Sequence, residues 1–193
     1  MTTGQKLPAR GRLLAAAEDV FFSRGVRATP VDDLLRTAGV SAATLYAHFG
    51  SKHGLIAEAL RVRLAEWQSV WDACAVNAGS DLERLLSIFD ALAAYRERQP
   101  AARWCAFLAT ATELPDAGDE IVAVLAADTA LLSERLRHFA RPLAGDRAAD
   151  LADDVVLAYN GTLAAFLRGY PADPIAAGRR VATAAAASYS PAG

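Results

Sequence analysis

A short polar and aromatic stretch near the N-terminus, SAATLYAHFGSK (residues 41–52), carries side chains that could bind phosphate. Tyr46 and His48 can reach phosphate oxygens, and Lys52 adds a positive charge. Lys52 lies in the first turn of the next predicted helix, where a cation is unfavourable beside the positive end of the helix dipole. A phosphate bound there would use both the backbone N–H groups and the ammonium group. The spacing therefore indicates polyanion binding, although Lys52 taken alone is better explained as a solvated surface residue.

No other set of residues in the sequence forms a recognisable catalytic or metal-binding pattern. The three histidines, His48, His53 and His138, lack the spacing of metal ligands, and the two cysteines form no CxxC pair. No GxSxG, P-loop or Rossmann glycine pattern occurs. We therefore expect no catalytic residue, no metal site and no cofactor, and an enzyme remains the weaker alternative, which turnover without DNA binding would support.

The elements that must position these side chains are helices. Helical periodicity runs through nearly the whole chain and no strand-like alternation is found, so we expect an all-α fold of nine helices. The first four predicted helices run from Pro8 to before Gly25, from Pro30 to Gly39 with Thr29 as cap, over 41–49 with Ser41 as cap, and from Lys52 to about Val76 with Ser51 as cap. The next three run from Ser80 to about Arg98, from Pro100 to before the ELPD sequence, and from Asp116 or Asp119 through Phe139, where Pro142 ends the helix. The last two run from about Arg147 to Arg168 and from Pro174 to about Tyr189.

The second and third predicted helices meet in a helix-turn-helix arrangement. Gly39 can adopt the left-handed conformation that ends one helix, and Ser41 can cap the next. Val40 and Leu45 have the spacing of a hydrophobic staple, which fixes the entry of the chain into the third helix. Leu45 and Phe49 then face inward, and the opposite face is small, polar and aromatic without negative charge. A DNA major groove accepts such a helix.

The charge distribution is compatible with a polyanion partner for the N-terminal part only. Residues 1–65 carry a net charge of +4 and the remainder carries −6, although ordinary scatter explains this asymmetry equally well. The chain is 53% hydrophobic, and its longest apolar stretch, 155–167, is too short to span a bilayer. We therefore expect a cytoplasmic protein with no membrane partner.

Residues 12–60 resemble the N-terminal domain of TetR/AcrR-type transcriptional regulators. The resemblance rests on the pattern AGVS-x-x-TLY-x-HF-x-SK, preceded by G-x-x-x-T and an Asp-plus-aliphatic run. It departs from the family at Leu35, where Ala is usual, and at His53, where an acidic residue usually follows the lysine. The resemblance implies DNA contacts by Thr29, Ala42, Ala43, Thr44, Tyr46, Ala47, His48 and Lys52. To these we add Ser41 and Arg36, since the outward alanines offer only methyl contacts to bases and leave more of the recognition to Thr44, Arg36 and DNA shape.

The same resemblance implies a DNA-binding domain at 8–66, with its motif at 30–49, and a ligand-binding and dimerisation domain at 67–193. It implies a homodimer that represses transcription from a double-stranded DNA operator and releases it when a small-molecule effector binds. The absence of a clearly inward charge favours an apolar or aromatic effector. A sequence-indifferent architectural DNA binder is the other alternative, and the acidic net charge argues against it.

The C-terminal part offers candidate pocket and dimer residues, although any single pocket candidate is better explained as plain bundle core. Asn160 could fix the register of helices at a dimer interface, contact a ligand or face solvent, and the sequence favours none of these three interpretations over the others. The pocket candidates are Trp67, Trp71, Phe89, Leu92, Tyr95, Trp104, Phe107 and Asn160. The dimer candidates, on the last two helices, are Val155, Tyr159, Leu163, Phe166, Val181 and Ala185.

Overall fold

The computed structural model describes residues 7–98 and 105–189. Within these residues it contains nine α-helices, one short 3₁₀ helix at Gly145–Arg147 and no strand, which confirms the all-α prediction. The helices are α1 (Ala9–Arg24), α2 (Val31–Ala38), α3 (Ala42–Phe49), α4 (Lys52–Val76), α5 (Asp81–Arg98), α6 (Ala106–Glu113), α7 (Asp119–Ala144), α8 (Ala148–Arg168) and α9 (Pro174–Tyr189). None of the helices formed by the described residues combines the length and apolar composition that a bilayer span requires.

Serine caps start three of these helices, as the sequence predicts. The Ser41 hydroxyl accepts the Thr44 N–H at 3.3 Å, and the Ser51 hydroxyl accepts the Gly54 N–H at 2.9 Å. At α5 the Ser80 hydroxyl accepts the Glu83 N–H at 3.1 Å, while the Glu83 carboxylate reaches back to the N–H of Gly79 at 2.8 Å. These bonds pair backbone N–H groups at or just before the helix starts, where no carbonyl of a preceding turn is available.

Three predicted helix limits differ from the structure. Pro142 lies inside the last turn of α7 and does not end the helix, which continues to Ala144. Helix α6 begins at Ala106 with Cys105 as its N-cap residue, and the predicted start at Pro100 lies outside the described residues. Thr29 does not cap α2, whose N-cap residue is Pro30.

The described residues divide into two compact units. The N-terminal unit contains residues 7–63 together with 105–126, and the C-terminal unit contains 64–98 together with 127–189. Helix α6 and the first turns of α7 thus belong to the same unit as the helix-turn-helix. Local sequence patterns predict no such association, because the two segments are far apart in the chain.

The core of the N-terminal unit forms where α1 packs on α2 and α3. Leu13, Leu34 and Leu45 contribute one fully buried side chain from each of these helices. A buried arginine of α4, Arg63, pairs with Glu18 of α1 and is only 4% exposed. Removing one partner of such a buried pair is costly, because the other charge stays buried without compensation.

The C-terminal unit is held by close packing of α9 against α8 and α5. Gly178 of α9 is buried, and a Cβ atom at this position would lie 2.9 Å from Cε1 of Phe89 and would overlap the hydroxyl of Thr162. The helices approach this closely only because position 178 has no side chain.

We predict that Gly178→Ala destabilises the protein by about 1–3 kcal/mol, because the added methyl group must displace α9 from two neighbours. The measurement is the free energy of unfolding from chemical denaturation. The control is Gly11→Ala in α1, where the nearest atom to a new Cβ is Leu7 Cβ at 3.6 Å and helix propensity favours alanine. A Gly178→Ala protein as stable as the Gly11→Ala protein would contradict the packing described.

Candidate nucleic-acid interface

The outward face of α3 presents small, polar and aromatic side chains to solvent. Leu45 is fully buried beneath the helix, Phe49 is half-buried, and Tyr46 is 54% exposed. Thr44 is half-buried, and its hydroxyl lies 2.9 Å from the hydroxyl of Ser41. The other predicted contact residues of this helix and its cap are all exposed: Ser41, Ala42, Ala43, Tyr46, Ala47 and His48.

The turn that aims α3 uses a left-handed glycine and an arginine from α1. Gly39 has φ 62° and ψ 45°, and the N–H of Val40 donates to the carbonyl of Leu35 at 3.1 Å. Arg12 donates from Nε to the carbonyl of Ala38 at 3.0 Å and from a terminal nitrogen to the carbonyl of Gly39 at 3.2 Å. These two oxygens end α2 and have no donor within that helix. The guanidinium therefore ties the end of α2 to α1, a role that sequence reasoning missed.

The junction between α3 and α4 also depends on a glycine. Gly54 lies in the first turn of α4, and a Cβ atom there would overlap the carbonyl oxygen of Phe49 at the end of α3. Gly50, with φ 71°, ends α3 and turns the chain into the Ser51 cap. The two helices can therefore follow one another with only Gly50 and Ser51 between them.

Lys52 has partners within the protein that offset its unfavourable position at the start of a helix. Its ammonium group donates to the carbonyl of Thr29 at 2.6 Å and lies 5.9 Å from the centre of the Phe21 ring. Burial lowers the pKa of Lys52, and the negative charge of Glu113 opposes that shift. Lys52 is half-buried, and an ammonium group has three donors. One donor is used at Thr29, which leaves two that a phosphate could accept.

Two other predicted DNA contacts, Thr29 and Arg36, are engaged by groups of the protein itself. Thr29 is only 2% exposed, and its hydroxyl donates to the carbonyl of Gly25 at 2.7 Å, so this side chain lies inside the unit rather than at a phosphate site. Arg36 remains on the surface but is paired with Asp33 one turn earlier on α2. His53 and the half-buried Leu35, the two departures from the family pattern, lie on α4 and α2.

The predicted pocket residues of the C-terminal unit form a packed aromatic cluster. The ring of Trp67 lies 5.8 Å from Trp71, 5.7 Å from Tyr95 and 6.0 Å from Tyr159, measured between centroids. The indole N–H of Trp71 donates to the hydroxyl of Ser87 at 3.0 Å. Such rings are stabilised by offset and edge-to-face geometry as well as by burial.

The remaining pocket candidates are distributed unevenly. Phe89 and Leu92 are buried on α5, and Asn160 is half-buried on α8. Phe107 is buried on α6 and so belongs to the N-terminal unit, and Trp104 lies outside the described residues. The candidates therefore do not all belong to one compact unit.

Two polar features of the C-terminal unit were not predicted. Burial raises the pKa of Asp128 on α7 to about 6, so its carboxyl group holds a proton more readily than an exposed aspartate does. A cleft of about 250 Å³ opens beside Phe139, whose ring centre lies 6.3 Å from that of Trp71. The described residues that line the cleft are Asp81, Arg84, His138, Phe139, Arg141 and Pro142.

Three of the predicted dimer residues face the chain's own core. Val155, Tyr159 and Leu163 are at most 9% exposed, because this stripe of α8 packs within the C-terminal unit. Phe166 is half-buried beneath the guanidinium of Arg96, which lies 3.6 Å from its ring centre. Apolar residues that the sequence reasoning did not select occupy the outer face of α8.

Large apolar side chains remain exposed on α8 and α9. Leu157 is 70% exposed and Leu167 is 53% exposed on α8, and Val181 is 59% exposed on α9. Ala185, about one turn after Val181 on α9, is half-buried. In residues 7–98 and 105–189, no three His, Cys, Asp or Glu side chains come together as metal ligands would.

Comparison with known proteins finds a family match for the N-terminal segment. Residues 13–59 match the family described as bacterial regulatory proteins, tetR family. The HTH-type transcriptional repressor KstR2 of Mycobacterium tuberculosis is 39% identical over 90 residues, which cover 45% of this chain and 43% of KstR2. The HTH-type transcriptional activator FasR of Mycolicibacterium smegmatis is 48% identical over 52 residues, which cover 25% of this chain and 24% of FasR. The chain thus matches less than half the length of these relatives.

Solved structures share the fold over nearly the whole chain. SCO4454, a TetR-family transcriptional regulator from Streptomyces coelicolor, matches with a TM-score of 0.86 and 21% identity, covering 94% of this chain and 96% of that protein. The sav143 protein of Streptomyces avermitilis matches with a TM-score of 0.76 and 28% identity, covering 93% of this chain and 98% of its own.

We predict that Arg12→Ala lowers the free energy of unfolding by about 1–3 kcal/mol, because the end of α2 loses charged hydrogen bonds to its carbonyl oxygens. Chemical denaturation measures this change. The control is Arg24→Ala, which removes an exposed arginine from the same helix. Equal stability of the two variants would show that Arg12 does not hold the turn.

Proposed function

We propose that this chain, which is TetR-type in its N-terminal domain and in its fold, is a homodimeric transcriptional regulator that represses from a double-stranded DNA operator. The observation that carries the proposal is the exposed face of α3, set beyond a turn that Gly39 and Arg12 hold. KstR2, a repressor by name, matches a larger share of the chain than FasR, an activator by name, and this favours repression.

In this proposal α3 enters the major groove with its exposed face toward the bases. Ala42, Ala43 and Ala47 supply methyl groups that can contact thymine but cannot form bidentate hydrogen bonds. Tyr46 and His48 are exposed at the flanks, where they can reach phosphates. With so few base-reading donors, recognition depends on Thr44 and on DNA shape as well as on direct contacts.

Lys52 has two tasks in this proposal. Its bond to the Thr29 carbonyl joins the start of α4 to the segment that precedes α2, and its free donors are available to a phosphate at the wall of the groove. A phosphate would also offset the unfavourable placement of a cation at a helix start. The side chain is thus both a structural tie and a DNA contact.

The homodimer in this proposal forms through the outer faces of α8 and α9. Leu157, Leu167 and Val181 are each more than half exposed there, and because α8 packs on α9, these side chains can belong to one apolar surface that a protein partner would cover. A two-fold axis requires the same patch on both copies and a near-palindromic operator, with half-sites about one helical turn or a multiple apart.

The effector in this proposal is a small apolar or aromatic molecule bound by the C-terminal unit. The aromatic character of the packed rings around Trp67 supports this choice, and the half-buried Asn160 is a polar group that would orient the molecule. The effector can release DNA only if it binds the DNA-free arrangement more tightly than the DNA-bound one.

The test of the function is fluorescence anisotropy with duplex DNA from the region upstream of this gene, against a shuffled duplex of the same composition. The proposal requires tighter binding to the upstream duplex by about 10³-fold or more at physiological salt, as specific DNA-binding proteins show. Equal affinity for the two duplexes would refute a sequence-specific regulator.

For Lys52→Met, we predict weaker binding to every duplex and a log–log salt slope smaller in magnitude by about one, because one phosphate contact is lost. Titrations at several salt concentrations give the slope. Arg168→Met, which removes an exposed cation from the end of α8, is the control and should leave the slope unchanged. If Lys52→Met weakens binding but keeps the wild-type slope, Lys52 acts only through Thr29.

For the dimer, we predict that Leu157→Asp shifts the protein to monomers in sedimentation experiments and weakens operator binding at least about tenfold, since half of the contacts are lost. Val122→Asp is the matched control, because Val122 is 52% exposed but lies in the part of α7 that belongs to the N-terminal unit. A Leu157→Asp protein that remains a dimer would exclude this face as the interface.

A further inference from the structure

A carboxylate at the end of α6 meets the turn between α1 and α2. The Glu113 carboxylate accepts the N–H of Arg27 at 2.9 Å. A Cβ atom at Gly25 would lie 2.9 and 3.0 Å from the two Glu113 oxygens, which are therefore packed directly against this glycine. Gly25 has φ 103°, a conformation that glycine adopts readily. The turn is thus shaped so that the carboxylate can approach its backbone closely.

The same turn is held from a second helix by a charge of the opposite sign. Lys52 of α4 donates to the carbonyl of Thr29, and the Thr29 hydroxyl donates back to the carbonyl of Gly25. The charge of Glu113 acts on Lys52 and favours its ammonium form. Residues 25–29, which lead directly into α2, are therefore attached to α6 through Glu113 and to α4 through Lys52.

We propose that Glu113 is a positioning residue for DNA binding: through the Arg27 N–H it holds the segment that sets where α2 begins, and thereby the placement of α3. The proposal rests on the proposed function, since it concerns the affinity of the same α3 for its operator. Losing the contact lowers the fraction of protein in the binding-competent arrangement, and the apparent dissociation constant rises in the same proportion.

If Glu113 acted on DNA binding only through its charge, its removal would change the DNA affinity in the opposite direction. A carboxylate near a DNA-binding surface repels phosphate, so its removal should tighten binding to all DNA if charge alone matters. A positioning role predicts weaker operator binding when the acceptor is lost, and rescue by glutamine, whose amide oxygen can still accept the Arg27 N–H. The sign of the change therefore separates the two roles.

The experiment compares the full-length wild-type protein with Glu113→Ala, Glu113→Gln and Asp116→Ala. Asp116 is an exposed carboxylate of the link between α6 and α7, so its removal reproduces the change of charge without the turn contact. Two quantities are measured for each protein: the dissociation constants for the operator and for a shuffled duplex, and the hydrogen-exchange rate of the Arg27 amide without DNA.

We expect Glu113→Ala to weaken operator binding by about tenfold and to speed Arg27 exchange by a similar factor, as loss of a charged hydrogen bond implies. Binding to the shuffled duplex should not weaken. Glu113→Gln should stay within about threefold of wild type in both measurements, and Asp116→Ala should not weaken operator binding. If Glu113→Ala does not fold, Glu113→Asp, whose shorter side chain keeps the charge but withdraws the oxygens, is expected to show the same losses.

Operator binding by Glu113→Ala at or above wild-type strength would overturn the proposal, and so would faster Arg27 exchange with unchanged operator affinity. Losses of equal size for the operator and the shuffled duplex would also overturn it, because they indicate a general structural defect. A wild-type protein that prefers no DNA sequence would instead refute the proposed function. The Arg27 exchange rate would still report on the Glu113 contact in that case, which keeps the two failures distinguishable.

Discussion

The placement of α3 depends on the turn and the hydrogen bonds that end α2. Gly39 turns the chain in the left-handed region, and the guanidinium of Arg12 supplies donors to the carbonyls that α2 leaves unpaired. A short helix such as α3 has little intrinsic stability and keeps its direction only through its neighbours. The exposed face that meets DNA in the proposed function is therefore a product of bonds made behind it, by side chains that do not themselves face the groove.

A second set of bonds extends this dependence to more distant parts of the chain. Lys52 and Glu113, of opposite charge, attach the segment before α2 to α4 and α6. Helices α4 and α7 each contribute residues to both compact units. In the proposed function, an effector bound to the C-terminal unit acts on the helix-turn-helix through α4 and α7, and its differential affinity for two arrangements supplies the energy.

Local features of the fold could be predicted from the sequence, and long-range contacts could not. The caps at Ser41 and Ser51 join residues within one turn, so their spacing is visible in the sequence. The bonds of Arg12 to Ala38 and of Arg27 to Glu113 join residues 26 and 86 positions apart, and no periodicity encodes such pairs.

The apolar stripe of α8 shows a related limit of sequence reasoning. Its amphipathic pattern indicates that Val155 and Leu163 are buried, but the pattern is the same whether the face packs on the chain itself or on a second copy. The structure packs it within the chain and leaves Leu157 and Leu167 outside.

In the proposed function, α3 reads DNA as one of two symmetry-related copies. Selection of bound duplexes from a random pool by the wild-type protein tests this arrangement, because the selection assumes no operator in advance. The proposed function predicts enrichment of a near-palindromic sequence whose two half-sites are separated by about one helical turn or a multiple of it. A pool that remains random after repeated selection, or one enriched in a sequence without two-fold symmetry, would contradict it.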